Sequence, residues 1–440
     1  MKKRLLFIFT LISALLIFIF LKKLSINDPK QIDLPSLEEG DKRELDKKEY
    51  MEDFEFVYNT LKEYYPYFDI NKKIYNIDWL ANKKEYKDYI GKSKNDIDFG
   101  LRMNKILYEL NNDHTQLIDQ NQALDMYLTY YKVPEYNWRH DISHIYEKQN
   151  VRKRYNLTNK RINNYLKYND YKQTFKENEI YNLKGNSSIK STSNDNVKVQ
   201  NINEDIGYIK INKMINYDKA YEDQKLIKNY LKTLKNKRAL ILDIRGNRGG
   251  DSNYWQEFLL PQIIDKPYTS KYYNFIKHGK LNKKVISQEK YQEGVSRLLS
   301  KTEFSNETEE ILSKFDYYKY YTSNINPSED SIKFRGNIYL LVDSSVYSSA
   351  EMLASFCSET KLATLVGEKT GGDGIGSDPM QIDLPNSGYV LRFPKELGLT
   401  ASGKINEIEK TNPNIFIDSN PYDKLSEQAI IDKIIELENQ

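Results

Sequence analysis

Ser348 is the side chain of this sequence best placed to act as a nucleophile. An apolar run at 338–342 precedes it, and the residues from Ser349 onward have helical spacing. A serine at such a strand-to-helix turn lies beside free main-chain N–H groups and the positive end of a helix dipole, which favour negative charge. The spacing from Ser348 to Glu351 is also the capping-box pattern, in which the hydroxyl caps the helix. The turn therefore predicts either a hydrolase nucleophile or a helix cap.

A glycine-rich turn at 243–250 offers hydrogen-bond donors for such a reaction. It begins where the predicted buried strand 238–244 ends, and it closes with the pair Gly249 and Gly250. Paired glycines let main-chain N–H groups point into an open site and stabilise an oxyanion, and the loss of one such donor costs about a hundred- to a thousandfold in rate. The alternative is a tight strand-to-helix turn that needs glycine only for its positive φ.

Histidine is the usual general base near neutral pH, and the chain has four histidines. His114 falls in a polar turn where a helical region ends, which makes it the candidate base. His140 and His144 are four residues apart, as a metal pair on a helix would be, but no third ligand stands nearby, so we predict no metal site. The only cysteine, Cys357, excludes an internal disulfide and a cysteine zinc cluster, and we expect it to be a small buried residue.

The periodicity of the chain predicts the elements that position these residues. Helical spacing dominates 47–112, the pattern is weak from 121 to 200, and strands alternate with helices from 203 onward, which indicates an α/β core. We predict the following division of the chain: a signal-anchor at 1–23, a linker at 24–46, a helical N-terminal domain at 47–120, an intermediate region at 121–202, a catalytic core at 203–422 with an insertion at 267–333, and a C-terminal helix at 423–440.

Composition and the N-terminal segment bear on partners and location. The charge is nearly balanced, with 66 basic and 63 acidic residues, and no basic block is interleaved with aromatics, so nucleic acid is not an expected partner. An apolar run at 5–21 is flanked by lysines and has no small-residue cleavage site after it. We expect this segment to anchor the chain in the cell membrane as a single-pass helix, with the catalytic domain on the extracytoplasmic side.

The turn at 243–250, the stretch around Ser348 and the glycine run at 367–372 together resemble the S41 peptidases, which include the C-terminal processing and tricorn-like proteases. The resemblance implies a ClpP/crotonase-like α/β core with a helical N-terminal domain. It also implies a serine-type peptidase that acts on peptides or proteins without a metal or an organic cofactor. The region 121–200 has no PDZ-like pattern, which favours the tricorn-like branch.

The resemblance also implies roles for individual residues. One branch of the family pairs its serine with a lysine 25 residues later, but Asp373 stands there, and Lys369 is out of register. The tricorn-like branch uses serine, histidine and glutamate, and the sequence around His114 resembles its histidine motif. The glutamate counterpart, counted back from a downstream proline, is Glu407, with Glu409 as the runner-up.

In this interpretation Ser348 is the nucleophile, His114 the base and Glu407 the orienting acid. The oxyanion would be bound by the main-chain N–H of Ser349 and by an N–H of Gly249 or Gly250. Two alternatives stay open: a Ser–Lys peptidase that uses Lys369, and a non-catalytic protein of the same fold that binds peptide or lipid.

Overall fold

The computed structural model of the chain describes residues 31–37, 44–167, 191–400, 402–418 and 424–439. The predicted signal-anchor at 1–23 lies outside these residues. Among the described residues, no helix combines the length and the apolar character that a membrane span requires.

The chain divides into two compact units. The first, here called the helical unit, comprises residues 1–62, 81–184 and 380–393. The second, here called the sheet unit, comprises residues 63–80, 185–379 and 394–440. Each unit therefore combines segments that are distant in sequence, whereas the domain boundaries predicted above are continuous.

The strands of the described residues are numbered in chain order. They are β1 (Gln116–Leu117), β2 (Ser191–Ser193), β3 (Val197–Asn201), β4 (Ile206–Ile211), β5 (Ala239–Asp243), β6 (Tyr268–Ile276), β7 (Gln292–Glu293), β8 (Tyr317–Ile325), β9 (Asn337–Val342), β10 (Thr364–Gly367), β11 (Met380–Asp383), β12 (Val390–Phe393), β13 (Glu396–Thr400) and β14 (Ile415–Phe416).

The helical unit packs helices beside a small antiparallel sheet in which β12 lies between β1 and β11. Much of its core consists of tyrosine: Tyr127, Tyr146 and Tyr155 are buried. The phenol of Tyr155 donates to the carbonyl of Ile118 at 3.2 Å, so this buried hydroxyl is satisfied. Its helices include Lys47–Tyr64, Lys83–Ile90, Asp96–Tyr108, Gln120–Tyr131, His140–Glu147 and Gln149–Tyr155, the first of which belongs to this unit up to Lys62.

The sheet unit is built on a seven-stranded sheet of order β14-β10-β9-β5-β4-β3-β2. The five strands from β14 to β4 run parallel, and β3 and β2 continue the sheet antiparallel. Its helices, besides a π-helix at Tyr254–Leu259 and a short 3-10 helix at Tyr217–Lys219, are Phe68–Tyr75, Tyr221–Leu231, Leu260–Ile263, Lys283–Gln288, Val295–Leu299, Asn306–Leu312, Ser349–Thr360, Asn406–Glu409 and Lys424–Glu438.

Both faces of this sheet are covered, which explains why its central strands are continuous apolar runs. Leu240 and Leu242 of β5 pack in one core cluster with Leu353 of the helix Ser349–Thr360. The alternate residue Ile241 packs in a second cluster with Ile430 of the C-terminal helix. The predicted insertion at 267–333 contains β6, β7 and β8, which form with β13 an antiparallel sheet of order β13-β6-β8-β7.

Candidate active site

Three turns meet at one edge of the seven-stranded sheet. They follow β5, β9 and β10, which are adjacent and parallel, so their carboxyl ends share that edge. Main-chain hydrogen bonds join the turns: the N–H of Tyr347 donates to the carbonyl of Asn247 at 3.2 Å, and the N–H of Ser348 donates to the carbonyl of Gly372 at 3.3 Å. The fold therefore brings the glycine turn, the serine turn and the 368–374 turn together.

Ser348 occupies a strained strand-to-helix elbow. Its backbone has φ +56° and ψ −127°, in a region that non-glycine residues rarely adopt and that is typical of functional sites. It precedes the helix Ser349–Thr360, but its side chain makes no capping hydrogen bond. The capping-box interpretation is therefore wrong, because Ser348 lacks the extended backbone typical of an N-cap residue and its hydroxyl accepts from no N–H of this helix. A sharp elbow of this kind is how other hydrolases expose a serine nucleophile.

The glycine turn lies directly against the elbow. A Cβ added to Gly249, which has φ +89°, would lie 2.7 Å from the main-chain nitrogen of Ser349 and 2.8 Å from the Cβ of Ser348. The N–H of Gly249 donates to Oδ1 of Asn247 at 2.9 Å. Among the described residues, the main-chain N–H groups of Gly250 and Ser349 donate to no hydrogen bond. Two of the three predicted oxyanion residues, Gly250 and Ser349, thus have a main-chain N–H that is available as a donor. The third, Gly249, has no side chain and therefore lets the glycine turn lie close to the elbow.

Buried charges hold the glycine turn in place. Arg245 forms a two-pronged ion pair with Asp243, with Nε and Nη2 at 2.9 and 2.7 Å from the two carboxylate oxygens. Burial alone would raise the pKa of Asp243, but the hydrogen bonds and charge of Arg245 outweigh it and hold this pKa below its ordinary value. Asp343 then joins the two turns, because its Oδ1 accepts the N–H groups of Gly246 at 3.1 Å and Ser345 at 3.0 Å.

The side chain of Glu351 does not cap the helix but lies in the protein core. It is fully buried, and its Oε1 accepts from Asn406 Nδ2 at 2.7 Å and from Thr411 Oγ1 at 2.8 Å. Its Oε2 is buried without a hydrogen-bond partner among the described residues. Burial raises the pKa of Glu351 to about 7, although the hydrogen bonds from Asn406 and Thr411 oppose the rise. The side chain therefore links the helix after Ser348 to the segment that carries Glu407.

Glu407 lies at the same edge of the sheet unit. Its Oε2 is 3.4 Å from the position that a Cβ on Gly372 would take, and the carbonyl of Gly372 accepts the N–H of Ser348. The runner-up Glu409 has an exposed side chain. Lys369 is also exposed and makes no hydrogen bond or ion pair among the described residues, which gives no support to a buried Ser–Lys dyad.

Asp373 stands where the dyad lysine would be, and two tyrosines bind it. Its Oδ1 accepts the phenol of Tyr67 and its Oδ2 accepts the phenol of Tyr347, both at 2.9 Å. Burial raises the pKa of both phenols well above the ordinary value, and the charges of Asp373 and Glu407 raise it further. Both tyrosines therefore remain protonated donors at neutral pH.

Comparisons with known proteins agree with this geometry. The sequence model of peptidase family S41 matches residues 205–417, which include all three turns and Glu407. The chain contains a domain of peptidase family S41. It is therefore a serine-type peptidase, and the predicted α/β core with a helical N-terminal region is confirmed.

Solved structures show the same fold at low sequence identity. A candidate peptidase from Parabacteroides merdae is 15% identical, with a TM-score of 0.53 over 88% of this chain and 96% of that one. Mature CPAF in complex with lactacystin is 11% identical, with a TM-score of 0.55 over 89% of this chain and 98% of that one. Mature CPAF is 10% identical, with a TM-score of 0.54 over 89% and 96% of the two chains. A search of curated proteins returned no match.

His114 lies in the helical unit of this S41 peptidase, in the turn between the helix Asp96–Tyr108 and β1. Asn112 organises that turn, since its Oδ1 accepts the N–H of His114 at 3.0 Å and the hydroxyl of Thr115 at 3.1 Å. Asn112 thus fixes the conformation of the turn that carries His114. Ser348, Glu407 and the glycine turn belong to the sheet unit, and the pairing of His114 with Ser348 stays a prediction.

The environments of the remaining candidate residues, Cys357, His140 and His144, indicate structural roles. Cys357 is buried, and burial raises the pKa of its thiol to about 12, which makes it a poor nucleophile. Nδ1 of His140 lies 2.7 Å from the carbonyl of Val133, and Nδ1 of His144 lies 2.8 Å from a carboxylate oxygen of Glu147. No group of three or more metal-ligating side chains occurs within the described residues.

Proposed function

We propose that this S41 peptidase hydrolyses peptide bonds through an acyl-enzyme formed on Ser348. The observation that carries the proposal is the elbow itself: Ser348 has φ +56° and lies against Gly249, and the adjacent N–H of Ser349 is available. This arrangement places a hydroxyl and an unused donor one residue apart, as acyl transfer requires.

In the first step the Oγ of Ser348 attacks the scissile carbonyl carbon, and the Oγ proton passes to the base. The carbonyl oxygen becomes an oxyanion, for which the N–H groups of Ser349 and Gly250 are the donors. The tetrahedral intermediate then expels the amine, which takes the proton from the protonated base. Water repeats the sequence on the ester, which releases the acid and restores the Ser348 hydroxyl.

The base in this proposal is His114, with Glu407 as the orienting or charge-stabilising acid. Histidine titrates near neutral pH, so it suits both the acceptance and the return of a proton. The position of Glu407 beside Gly372 supports its choice over the exposed Glu409.

A serine-reactive fluorophosphonate tests the nucleophile without knowledge of the substrate. The full chain should be labelled, and Ser348→Ala should abolish both labelling and the hydrolysis of denatured casein. The matched control is Ser344→Ala, an exposed serine of the same turn, which should be labelled like the wild type. Labelling that persists in folded Ser348→Ala would refute the assignment. A wild type that binds casein peptides but is neither labelled nor active would favour the non-catalytic alternative.

Two further variants identify the base. His114→Ala should lower the labelling rate by about a hundred- to ten-thousandfold, the range expected for loss of general-base catalysis. Lys369→Ala should change it little. The opposite pattern, with both variants folded by circular dichroism, would establish the Ser–Lys alternative.

We also propose that the segment 1–23 anchors the chain in the membrane, with the peptidase on the extracytoplasmic side. The apolar run at 5–21 between lysine-rich flanks supports this location. Membrane fractionation of the full chain tests it, followed by proteinase treatment of intact cells. A chain that stays in the soluble fraction would contradict the proposal.

A further inference from the structure

We propose that Asp373 is a positioning residue for the nucleophile, which it holds in its strained conformation through Tyr347, and that Tyr67 fixes the Asp373 carboxylate for this task. The inference rests on the proposed function of Ser348, since it concerns how the reactive hydroxyl is held.

The first support is the geometry of the two phenols. Tyr347 directly precedes Ser348, and its hydroxyl donates to Oδ2 of Asp373 at 2.9 Å. The hydroxyl of Tyr67 lies 2.9 Å from Oδ1 of Asp373 and also 2.9 Å from the carbonyl oxygen of Glu396. Both tyrosines are buried, so water does not compete freely for these hydrogen bonds. One phenol therefore lies within hydrogen-bond distance of each carboxylate oxygen, and the Tyr67 proton is shared between Asp373 and the carbonyl of Glu396.

The second support is the main-chain connection between the same two segments. Tyr347 and Gly372 form a parallel β-bridge. The N–H of Gly371 donates to the carbonyl of Val346 at 2.7 Å, and the N–H of Ser348 donates to the carbonyl of Gly372 at 3.3 Å. The carboxylate of Asp373 extends this bridge with a side-chain contact, so the segment beside Ser348 is held at both its backbone and its tyrosine.

The third support is the strain at Ser348. Its φ of +56° costs roughly 1–3 kcal/mol and persists only where the surroundings impose it. Tyr347 directly precedes Ser348, so a hydrogen bond that fixes the Tyr347 side chain also restrains the main chain that enters the elbow. Asp373 has φ +51° itself, a conformation that aspartate tolerates better than most side chains.

The chemistry of Asp373 excludes it as a substitute for the missing lysine. A dyad lysine acts as a base through a neutral amine, whereas both oxygens of Asp373 already accept phenol protons. Burial, aided by the charge of Asp373, keeps the pKa of each phenol well above its ordinary value, so neither tyrosine supplies a base. Asp373 therefore has a structural role beside Ser348.

The experiment compares the kinetics of fluorophosphonate labelling in the full chain, resolved into reagent affinity and maximal rate. Tyr347→Phe and Tyr67→Phe each remove one hydroxyl, and Asp373→Ala removes both acceptors. We expect the maximal rate to fall roughly tenfold in Tyr347→Phe and about a hundredfold in Asp373→Ala, since a misplacement of about 1 Å can cost a hundredfold. The reagent affinity should remain close to the wild-type value, because Asp373 touches no reacting atom.

Tyr339→Phe is the matched control. Its phenol also donates to a carboxylate, that of Glu438 at 2.8 Å, but β9 places it away from the turns, so its labelling rate should match the wild type. Asp373→Asn keeps one acceptor oxygen and should recover part of the rate lost in Asp373→Ala. Asp373→Lys should be at least as slow as Asp373→Ala, because an ammonium group cannot accept either phenol proton.

Three results would overturn the proposal. They are a wild-type rate in Tyr347→Phe, a loss confined to reagent affinity, and a gain of rate in Asp373→Lys. If Asp373→Ala does not fold, the two phenylalanine variants decide, since each removes a single oxygen. Failure of the proposed function looks different, because the wild type itself would then not be labelled at Ser348.

Discussion

Replacement of Glu351 by glutamine should remove a pH dependence from the stability of the sheet unit. Glu351 is fully buried, and burial raises its pKa from 4.5 to about 7. Because the folded state holds the proton more tightly than the unfolded state, the stabilisation is fully present below pH 4.5 and is lost as the pH rises through 7. The difference between the two pKa values corresponds to about 3 kcal/mol of unfolding free energy.

Glutamine keeps an Oε1 that accepts from Asn406 and Thr411, but it does not ionise. It also buries an NH2 group where Oε2 has no partner among the described residues, at a cost of about 1–3 kcal/mol that is independent of pH. The decisive quantity is therefore the pH dependence of the difference between wild type and Glu351→Gln. An effect of about 3 kcal/mol corresponds to roughly 6–12 °C in Tm for a unit of this size.

Differential scanning fluorimetry between pH 4.5 and 8 at constant ionic strength measures this difference. The Tm of the wild type should fall relative to Glu351→Gln as the pH rises, with most of the change between pH 5 and 7.5. Glu310→Gln, which alters an exposed side chain, is the control and should follow the wild-type curve. A constant difference between wild type and Glu351→Gln across the whole range would refute the reasoning.

Three shorter predictions concern neighbouring features. Gly249→Ala should abolish fluorophosphonate labelling, because its Cβ would lie 2.7 Å from main-chain atoms of the elbow; normal labelling would contradict the close packing. Asp243→Asn should lower the unfolding free energy by about 3–5 kcal/mol, seen as a lower Tm, because it leaves the buried charge of Arg245 without its carboxylate. Cys357 should react with a disulfide reagent only after denaturation, because it is buried and its pKa is raised to about 12; rapid modification of the folded protein would contradict this burial.

The elements that carry the site could be predicted from local sequence, because they are central parallel strands. β5 and β9 are buried on both faces, so each is a continuous apolar run that ends at a recognisable turn. The adjacency of these two strands could not be predicted in the same way. The insertion at 267–333 separates them in the chain, and only the resemblance to a known family linked the glycine turn to Ser348.

The local sequence pattern did not predict the conformation of Ser348 or the contacts of Glu351. The capping-box spacing is real, but tertiary contacts override it: Glu351 bonds Asn406 and Thr411, more than fifty positions away in sequence. The contact between Tyr67 and Asp373 spans 306 positions. A contact between residues so far apart in sequence produces no periodic pattern around either of them, so it cannot be predicted from local sequence.

The weak pattern after residue 120 has a different cause. The helices there bury tyrosines such as Tyr127, Tyr146 and Tyr155, in place of aliphatic residues. The chain has 36 tyrosines, and some of them are exposed. The positions of tyrosines therefore do not show which face of a helix is buried. The hydroxyl groups of these three tyrosines have hydrogen-bond partners, as in the bond from Tyr146 to Gln381, so their burial is favourable despite the polar atom.

The interleaving of the two units has a consequence for biosynthesis. β1 of the helical unit pairs with β12, so that sheet stays incomplete until residues 390–393 have emerged from the ribosome. The sheet unit in turn incorporates Tyr67, which is translated long before Asp373. Neither unit can complete its folding before residues late in the chain have been translated. Contacts between residues far apart in sequence also form slowly. The nascent chain therefore acquires the elbow at Ser348 only near the end of synthesis, and its early segments stay incompletely folded until then.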